Sequence, residues 1–201
     1  MAITTVIFDI GRVLNQYDWR AYLKKVVPEQ KAYEAVERAV FLNPAWVEHD
    51  KGLLTRDEEL ADFIAAAPAY EKEIRAVYEN LGEVTWLFDY TNDWVKELKD
   101  KGYKVYALSN WPEHLYEQRA HKLDFLDLMD GYCLSFQEHL NKPDPAAFEN
   151  LLQKYGIAPE EAVFIDDSPA NIDAAKKLGI HGILFLGYED AKSKLEKVGV
   201  C

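Results

Sequence analysis

The feature of the sequence that most constrains the fold is a repeated alternation of short apolar runs with helical patterns. The runs have the length and the β-branched composition of strands, and they are Thr5–Ile10, Tyr103–Leu108, Gly131–Ser135, Ala162–Ile165 and Gly182–Leu186. Helical patterns separate the later runs and cover Asn92–Lys101, Pro145–Tyr155 and Pro169–Leu178. Strands that alternate with helices predict an α/β architecture, in which helices cover both faces of a parallel sheet.

A long segment without a convincing strand pattern, from about Tyr17 to Leu87, interrupts this alternation after the first run. Its patterns indicate several helices, around Trp19–Val27, Gln30–Phe41, a start after Thr55, and Tyr70–Asn80. Thr55 followed by Glu58 is the pattern of a capping box. We therefore predict two domains, an α/β core made of residues 1–14 and 88–201 and a helical cap made of residues 15–87.

Composition and charge limit the classes of function. The 201-residue chain is 49% hydrophobic, which is enough for a folded core. Its formal net charge of −12 argues against a nucleic-acid-binding surface. No apolar stretch approaches the roughly 20 residues of a membrane span and the first residues lack a secretory signal, so we expect a cytoplasmic protein without a membrane partner. Cys133 and Cys201 form neither a metal-binding spacing nor a disulfide framework.

Polar residues follow several of the predicted strands at their carboxyl ends, where parallel sheets bind ligands. These residues are Asp9, Ser109, Asn110, Lys142, Asp166 and Asp167. Taken singly they have ordinary explanations, since an aspartate after a strand is usually a turn or cap residue and a lysine is usually solvated. The adjacent acid pair is harder to explain, because neighbouring carboxylates repel each other unless a cation or a wet loop accommodates them. Together the set describes an oxygen-ligand site for Mg²⁺ beside a cationic pocket for a phosphoryl group.

Four short segments carry these residues in a fixed order along the chain: "VIFDIG", "ALSN", "NKPDP" and "FIDDSPAN". In this order and on these elements they resemble the haloacid dehalogenase superfamily, and more narrowly its phosphatase-like members with a helical cap inserted after the first strand. The resemblance extends over essentially the whole chain. It implies a Rossmann-like parallel-sheet core with an inserted, all-helical cap domain.

The resemblance also implies a role for each polar residue. Asp9 corresponds to the nucleophile that forms an aspartyl-phosphate, and Lys142 to the lysine that steadies both the phosphate and the nucleophile. Ser109 and the backbone of Asn110 correspond to the phosphate-binding second motif.

For the metal site, the resemblance implies that Asp9, Asp166, Asp167 and the backbone carbonyl of Gly11 hold Mg²⁺. Asn171 occupies a position where the family often has another polar residue, and an indirect role is expected for it.

Gly11 is a departure from the family pattern. Family phosphatases commonly carry an aspartate two residues after the nucleophile, as the general acid for the leaving oxygen and then the base for water. General acid–base catalysis contributes roughly 10²–10⁴-fold in rate. Glycine retains the backbone carbonyl and permits a tight loop. A substrate with a good leaving group, such as an anomeric or acyl phosphate, would depend least on the lost acid, which favours a restricted substrate such as a sugar phosphate.

Several further residues have a functional and a structural interpretation. Trp46, Glu48, His49 and Asp50 belong to the predicted cap and could line a pocket; alternatively, Trp46 packs in the cap and the acids are solvated or cap a helix. The pKa of an ordinary histidine would suit His49 as a proton donor, but the sequence does not orient it. Arg12 is more often a structural residue in such a loop.

The leading hypothesis is a Mg²⁺-dependent hydrolase that removes phosphate from a small phosphorylated metabolite, as a monomer or homodimer. One alternative is a dehalogenase-type hydrolase, which needs no metal, or a phosphoryl transferase. Another is a non-catalytic phospholigand-binding protein, for which Gly11 is the best support. The retained Asp9, Ser109, Lys142 and Asp167 oppose the latter, and chelator sensitivity separates the phosphatase from the dehalogenase.

Overall fold

Seven β-strands form two sheets in the computed structural model, which describes residues 2–200. The strands are β1 (Thr5–Phe8), β2 (Asn15–Tyr17), β3 (Thr85–Leu87), β4 (Lys104–Ser109), β5 (Gly131–Leu134), β6 (Ala162–Asp166) and β7 (His181–Leu184). Five of them pair in parallel in the order β5-β4-β1-β6-β7, and β2 pairs with β3 in an antiparallel ribbon. The predicted parallel sheet is confirmed, with strand ends shifted by one or two residues.

Helices cover the sheet and form the segment between β2 and β3. They are α1 (Trp19–Val26), α2 (Gln30–Val36), α3 (Trp46–His49), α4 (Arg56–Ala66), α5 (Glu71–Glu79), α6 (Thr91–Asp100), α7 (Glu113–Arg119), α8 (Ser135–Glu138), α9 (Pro145–Tyr155), α10 (Pro169–Lys177) and α11 (Tyr188–Lys197). Asp144 caps α9 by accepting a hydrogen bond from the N–H of Ala146 at 3.0 Å. Ser168 occupies the cap position of α10 without a side-chain cap bond.

The central position of β1 explains why its sequence is apolar throughout. β4 pairs with one edge of β1 and β6 with the other, and the side chains on both faces of β1 are buried, Val6 and Phe8 on one face and Ile7 on the other. Phe8 lies opposite Ala107 on β4 and Ile165 on β6. Because the three strands end at nearly the same level, the residues that follow them share one edge of the sheet.

The segment of residues 15–87, called the helical insert below, contains helices α1–α5 and a single π-helix over Glu37–Phe41. The capping box at Thr55 and Glu58 is present as predicted. The expectation that no strand occurs between Tyr17 and Leu87 is wrong at the edges, because β2 and β3 form a ribbon there. These strands are only three residues each, too short to produce a periodic pattern, and their pairing across the insert joins its two ends.

Apolar side chains are buried on both faces of the sheet. Val6 and Phe8 belong to a cluster that continues into the helical insert through Phe63 and Ile74. Ile7 points to the opposite face, in a second cluster that contains Phe148. The first cluster therefore packs the insert and the core together.

Two further observations concern the expectations from composition. Cys133 is buried as a free thiol, and Cys201 lies outside the described residues. Within residues 2–200, none of the helices combines the length and the apolar character that a membrane crossing requires.

We predict that Phe148→Ala lowers the free energy of unfolding by about 3–5 kcal/mol, because Phe148 is buried and packs edge-on against Phe164. The measurement is urea denaturation followed by circular dichroism. Leu186→Ala is the matched control, since Leu186 is 71% exposed, and its effect should stay within about 0.5 kcal/mol. Equal effects of the two substitutions would contradict the packing described above.

Candidate active site

Asp9 is held at the end of β1 by bonds from three directions. Its backbone N–H donates to the carbonyl of Ile165 at 2.9 Å, which continues the pairing with β6. Its Oδ1 accepts hydrogen bonds from the N–H of Ile10 and the hydroxyl of Ser109, both at 2.7 Å. The Nζ of Lys142 lies 2.9 Å from the same oxygen. One carboxylate oxygen of Asp9 is therefore fixed, and the residue as a whole is only 8% exposed.

Lys142 is a buried cation between two acids from different strands. Its Nζ lies 2.7 Å from Asp166 Oδ2 as well as 2.9 Å from Asp9 Oδ1. Asn110 fixes the backbone of Lys142. The side-chain amide nitrogen of Asn110 donates to the Lys142 carbonyl at 2.9 Å, and the backbone N–H of Lys142 donates to Asn110 Oδ1 at 2.8 Å. The loop after β4 thus positions the lysine that bridges β1 and β6.

The two adjacent acids after β6 have different environments. Asp166 is fully buried, and its oxygens accept hydrogen bonds from the N–H of Ser168 at 2.7 Å and from the amide of Asn171 at 2.9 and 3.1 Å. Asp167 is partly exposed and lies 3.5 Å from the guanidinium of Arg12. Asp166 is therefore part of a fixed internal network, while Asp167 faces the open side of the site.

Burial and neighbouring charges shift the pKa values of the acids and the lysine in the cluster. Burial raises the pKa of Asp9 to about 6, with Asp166 adding to the shift and Lys142 opposing it. Burial and then Asp166 also raise the pKa of Asp167. For Lys142, burial disfavours the ammonium, but the two carboxylates outweigh it and raise the pKa. One buried lysine thus does not neutralise the acids.

These acids fit a hard divalent cation. Asp9, Asp166 and Asp167 each offer a carboxylate oxygen, and the three oxygens lie within 4.8 Å of one another. Oxygen ligands on opposite sides of one Mg²⁺ are about 4.2 Å apart, so small side-chain adjustments suffice.

The loop after β1 contains both the glycine that departs from the family pattern and an arginine. Gly11 has no positive φ, and a Cβ atom added there would meet nothing within 4 Å. Space for a side chain therefore exists at this position. Arg12 has a φ of 60° and places its guanidinium near Asp167, at the exposed edge of the site.

A cavity of about 170 Å³ lies between this loop, the loop after β4 and the helical insert. Gly11, Tyr17, Trp46, Asp50, Asn110 and Trp111 are among the residues that line it. Two of the four insert residues considered from the sequence, Trp46 and Asp50, thus border this cavity.

Tyr17 and Trp111 are not among the residues predicted from the sequence. Trp111 follows Asn110 directly, and this adjacency was the available signal. Tyr17 belongs to strand β2, which the sequence patterns do not predict, so no sequence signal pointed to it.

The other two insert residues, Glu48 and His49, contact residues of the insert itself. Glu48 pairs with Lys51 at the surface, with Nζ to Oε1 at 3.0 Å. His49 is 2% exposed, packs edge-on against Phe63 and lies 3.5 Å from Asp62. Burial lowers the pKa of His49, with Asp62 opposing, so the ring is a neutral packing element of the insert.

A parallel sheet that gathers three acids, a serine and a lysine at its carboxyl edge is typical of a Rossmann-like α/β enzyme. The sequence model of the haloacid dehalogenase-like hydrolases matches residues 3–179. The chain therefore belongs to this family of hydrolases, and the resemblance noted from the sequence is confirmed at the level of the family.

The chain is also similar to individual proteins. It is 24% identical to the drimenol cyclase drtB of Aspergillus calidoustus over 98% of this chain and 36% of that protein. It is 25% identical to the sesquiterpene phosphatase astK of Aspergillus oryzae over 88% of this chain and 87% of that protein. Among solved structures, the HAD family enzyme bt-2542 of Bacteroides thetaiotaomicron, a complex with magnesium and inorganic phosphate, matches with a TM-score of 0.75 and 25% identity, over 91% of this chain and 94% of that one. The chain thus spans about a third of the length of drtB and most of the other two.

We predict that Lys142→Met lowers the free energy of unfolding by about 3–5 kcal/mol, because Asp9 and Asp166 then lose their buried cation. The measurement is urea denaturation in the presence of EDTA. Lys104→Met is the matched control: Lys104 also pairs with an aspartate, Asp130, but is 62% exposed, and its loss should cost at most about 1 kcal/mol. A cost below 1 kcal/mol for Lys142→Met as well would mean that the two acids do not depend on the lysine.

Proposed function

We propose that this protein is a Mg²⁺-dependent phosphatase that hydrolyses a small phosphorylated metabolite through an aspartyl-phosphate on Asp9. The observation that carries the proposal is the environment of Asp9. Its carboxylate is buried, bonded to Ser109 and Lys142, and grouped with Asp166 and Asp167. A nucleophile, a cationic phosphate contact and a metal-ligating set thereby meet at one edge of the sheet.

The hydrogen bonds of Asp9 favour a specific orientation for attack. Within residues 2–200, the side-chain hydrogen bonds and the ion pair of Asp9 involve Oδ1. Oδ1 is therefore the anchored oxygen, and rotation of the carboxylate is restricted. A nucleophile held in one orientation needs little reorganisation when the phosphorus approaches.

Ser109, Asn110 and Lys142 are proposed to bind the phosphoryl group. The backbone N–H of Asn110 and the ammonium of Lys142 are donors suited to phosphate oxygens, and the Ser109 hydroxyl, which donates to Asp9 in this structure, would exchange that bond for one to a phosphate oxygen. Lys142 would then contact both the nucleophile and the group it attacks, so charge that builds up on the phosphoryl oxygens is stabilised by a group already in place.

We propose that Asp9, Asp167 and the backbone carbonyl of Gly11 hold Mg²⁺, with Asp166 in the same cluster. Asp166 already bonds to Lys142 and Asn171, which favours a supporting role, whereas Asp167 contacts the exposed Arg12 at 3.5 Å. When bound, Mg²⁺ supplies positive charge for the phosphoryl oxygens. The bt-2542 complex with magnesium and phosphate supports this proposal.

The substrate is proposed to be small, such as a sugar phosphate. The cavity beside Gly11 has a volume of about 170 Å³, below the roughly 300 Å³ at which pockets for drug-sized ligands begin. The phosphatase astK, which is similar over most of its length, supports the reaction class. A metal-free dehalogenase would have little use for the clustered acids.

The helical insert is proposed to act as a cap domain, with residues 1–14 and 88–201 as the core. Hydrogen bonds link the insert to the segment after β5: Ser135 Oγ, at the start of α8, donates to the Asp50 carbonyl at 2.5 Å, and the side-chain amide of Asn141 donates to the Val47 carbonyl at 2.5 Å. Asn141 directly precedes Lys142, so the insert contacts the catalytic loop. We further propose a cytoplasmic monomer or homodimer without a nucleic-acid or membrane partner.

We predict that the protein releases inorganic phosphate from members of a panel of small phosphate esters, that EDTA abolishes this release and that added Mg²⁺ restores it. Asp9→Asn should reduce it to the background of the assay, because the amide is a poor nucleophile. Asp173→Asn, an exposed aspartate on α10, is the matched control and should retain activity. Release that survives both EDTA and Asp9→Asn would contradict the proposal, and tight phosphate binding without turnover would favour a non-catalytic binder.

A further inference from the structure

The loop after β1 lacks the acid side chain that would protonate a leaving oxygen. Gly11 has space for a side chain but none is present. The cavity that Gly11 borders is also lined by a carboxylic acid from the helical insert, Asp50. Asn110, whose backbone is proposed to bind phosphate, lines the same cavity. Asp50 therefore borders the same cavity as Gly11 and as Asn110, one of the three residues proposed to bind phosphate.

We propose that Asp50 of the helical insert is the proton donor to the leaving oxygen and takes the place of the side chain that Gly11 lacks. This inference rests on the proposed phosphatase function and adds a catalytic residue to it.

The position of Asp50 is fixed by bonds to both the insert and the core. Asp50 follows α3, and its N–H donates to the carbonyl of Trp46 at 2.9 Å. Its carbonyl accepts the hydrogen bond of Ser135, whose Oγ in turn accepts one from the N–H of Trp111 at 2.8 Å. Trp111 follows Asn110, so one serine joins the backbone of Asp50 to the loop that is proposed to bind phosphate.

The surroundings of Asp50 favour the protonated carboxyl. Asp50 is 9% exposed, and none of the ion pairs found within residues 2–200 involves it, in contrast to Asp9. Burial first, and then the nearby Glu59 on α4, raise the pKa of Asp50 to about 8, while a hydrogen bond from Trp46 opposes the shift. Burial and then Asp50 also raise the pKa of Tyr17 on β2. The carboxyl thus retains a proton at neutral pH, as a general acid requires.

The rest of the cavity is suited to a small leaving group. Trp46, Pro112 and Leu115 contribute apolar surface. Trp111 also lines the cavity, is 3% exposed, and its Nε1 is buried without a hydrogen-bond partner among the described residues.

In the proposed reaction Asp9 is the nucleophile, and Asp50 is first the acid and then the base. As an oxygen of Asp9 bonds to phosphorus, the bond from phosphorus to the ester oxygen breaks and its electron pair stays on that oxygen. The proton of Asp50 moves to the same oxygen, and the alcohol leaves. Asp50, now a carboxylate, accepts a proton from water as the water oxygen attacks the aspartyl-phosphate. Phosphate is released, and Asp9 and Asp50 return to their starting states.

The test compares two probes that differ in their need for a proton donor, ethyl phosphate and para-nitrophenyl phosphate. Asp50→Asn should reduce kcat/KM for ethyl phosphate by about 10²–10⁴-fold. The reduction for para-nitrophenyl phosphate should be far smaller, because nitrophenolate leaves without protonation. Asp57→Asn, an exposed aspartate of the insert, is the matched control and should change neither rate substantially.

Two further readouts separate a catalytic from a structural role. Adding Gly11→Asp to Asp50→Asn should restore part of the ethyl phosphate activity, since position 11 has room for the side chain. The melting temperature of Asp50→Asn at pH 8 should equal or exceed that of the unsubstituted protein, because a buried carboxyl that resists ionisation is replaced by a neutral amide.

Equal losses of kcat/KM on the two probes, with or without a lowered melting temperature, would overturn the role of Asp50. No loss on either probe would overturn it as well. Absence of phosphate release by the unsubstituted protein from both probes and from every ester of the panel described above would instead overturn the proposed function, and with it this inference. The unsubstituted protein therefore tests the function, and the ratio between the two probes tests Asp50.

Discussion

The buried ammonium of Lys142 is the interaction on which the site depends. Asp9 and Asp166 come from neighbouring parallel strands, and like charges so close together would repel each other without a cation between them. Lys142 contacts both, at 2.9 and 2.7 Å. Asn110 fixes the backbone of the lysine from the other side of β1. Three segments that are far apart in sequence are thereby tied to one residue, two through its ammonium and one through its backbone.

The strand register supplies the rest of this arrangement. With β1 between β4 and β6, Asp9, Ser109 and Asp166 leave the sheet at one level and meet without any special loop geometry. Three carboxyl groups and one buried lysine meet there, and burial, with a further contribution from Asp166, raises the pKa values of Asp9 and Asp167. The same register that builds the site therefore also brings together the three acids that could hold a cation.

The parallel strands and the polar residues at their ends could be predicted, because burial on two faces leaves a continuous apolar run and the chemistry follows at its end. The ribbon of β2 and β3 could not, since its pairing joins residues such as Gln16 and Trp86 that are distant in sequence. For the same reason Tyr17 was not predicted. From the sequence, Asp50 and His49 were equal candidates for lining a pocket. The structure distinguishes them, because Asp50 borders the cavity whereas His49 packs against Phe63.

A proton donor on the helical insert differs physically from one on the loop after β1. An aspartate at position 11 would belong to the core whatever the insert did. Asp50 is instead positioned by Ser135 and by the packing of the insert on the core. Contact between insert and core would then exclude water and deliver the proton in the same step. An ester bound while the insert was displaced would lack its general acid, so the proposed chemistry is confined to the enclosed state.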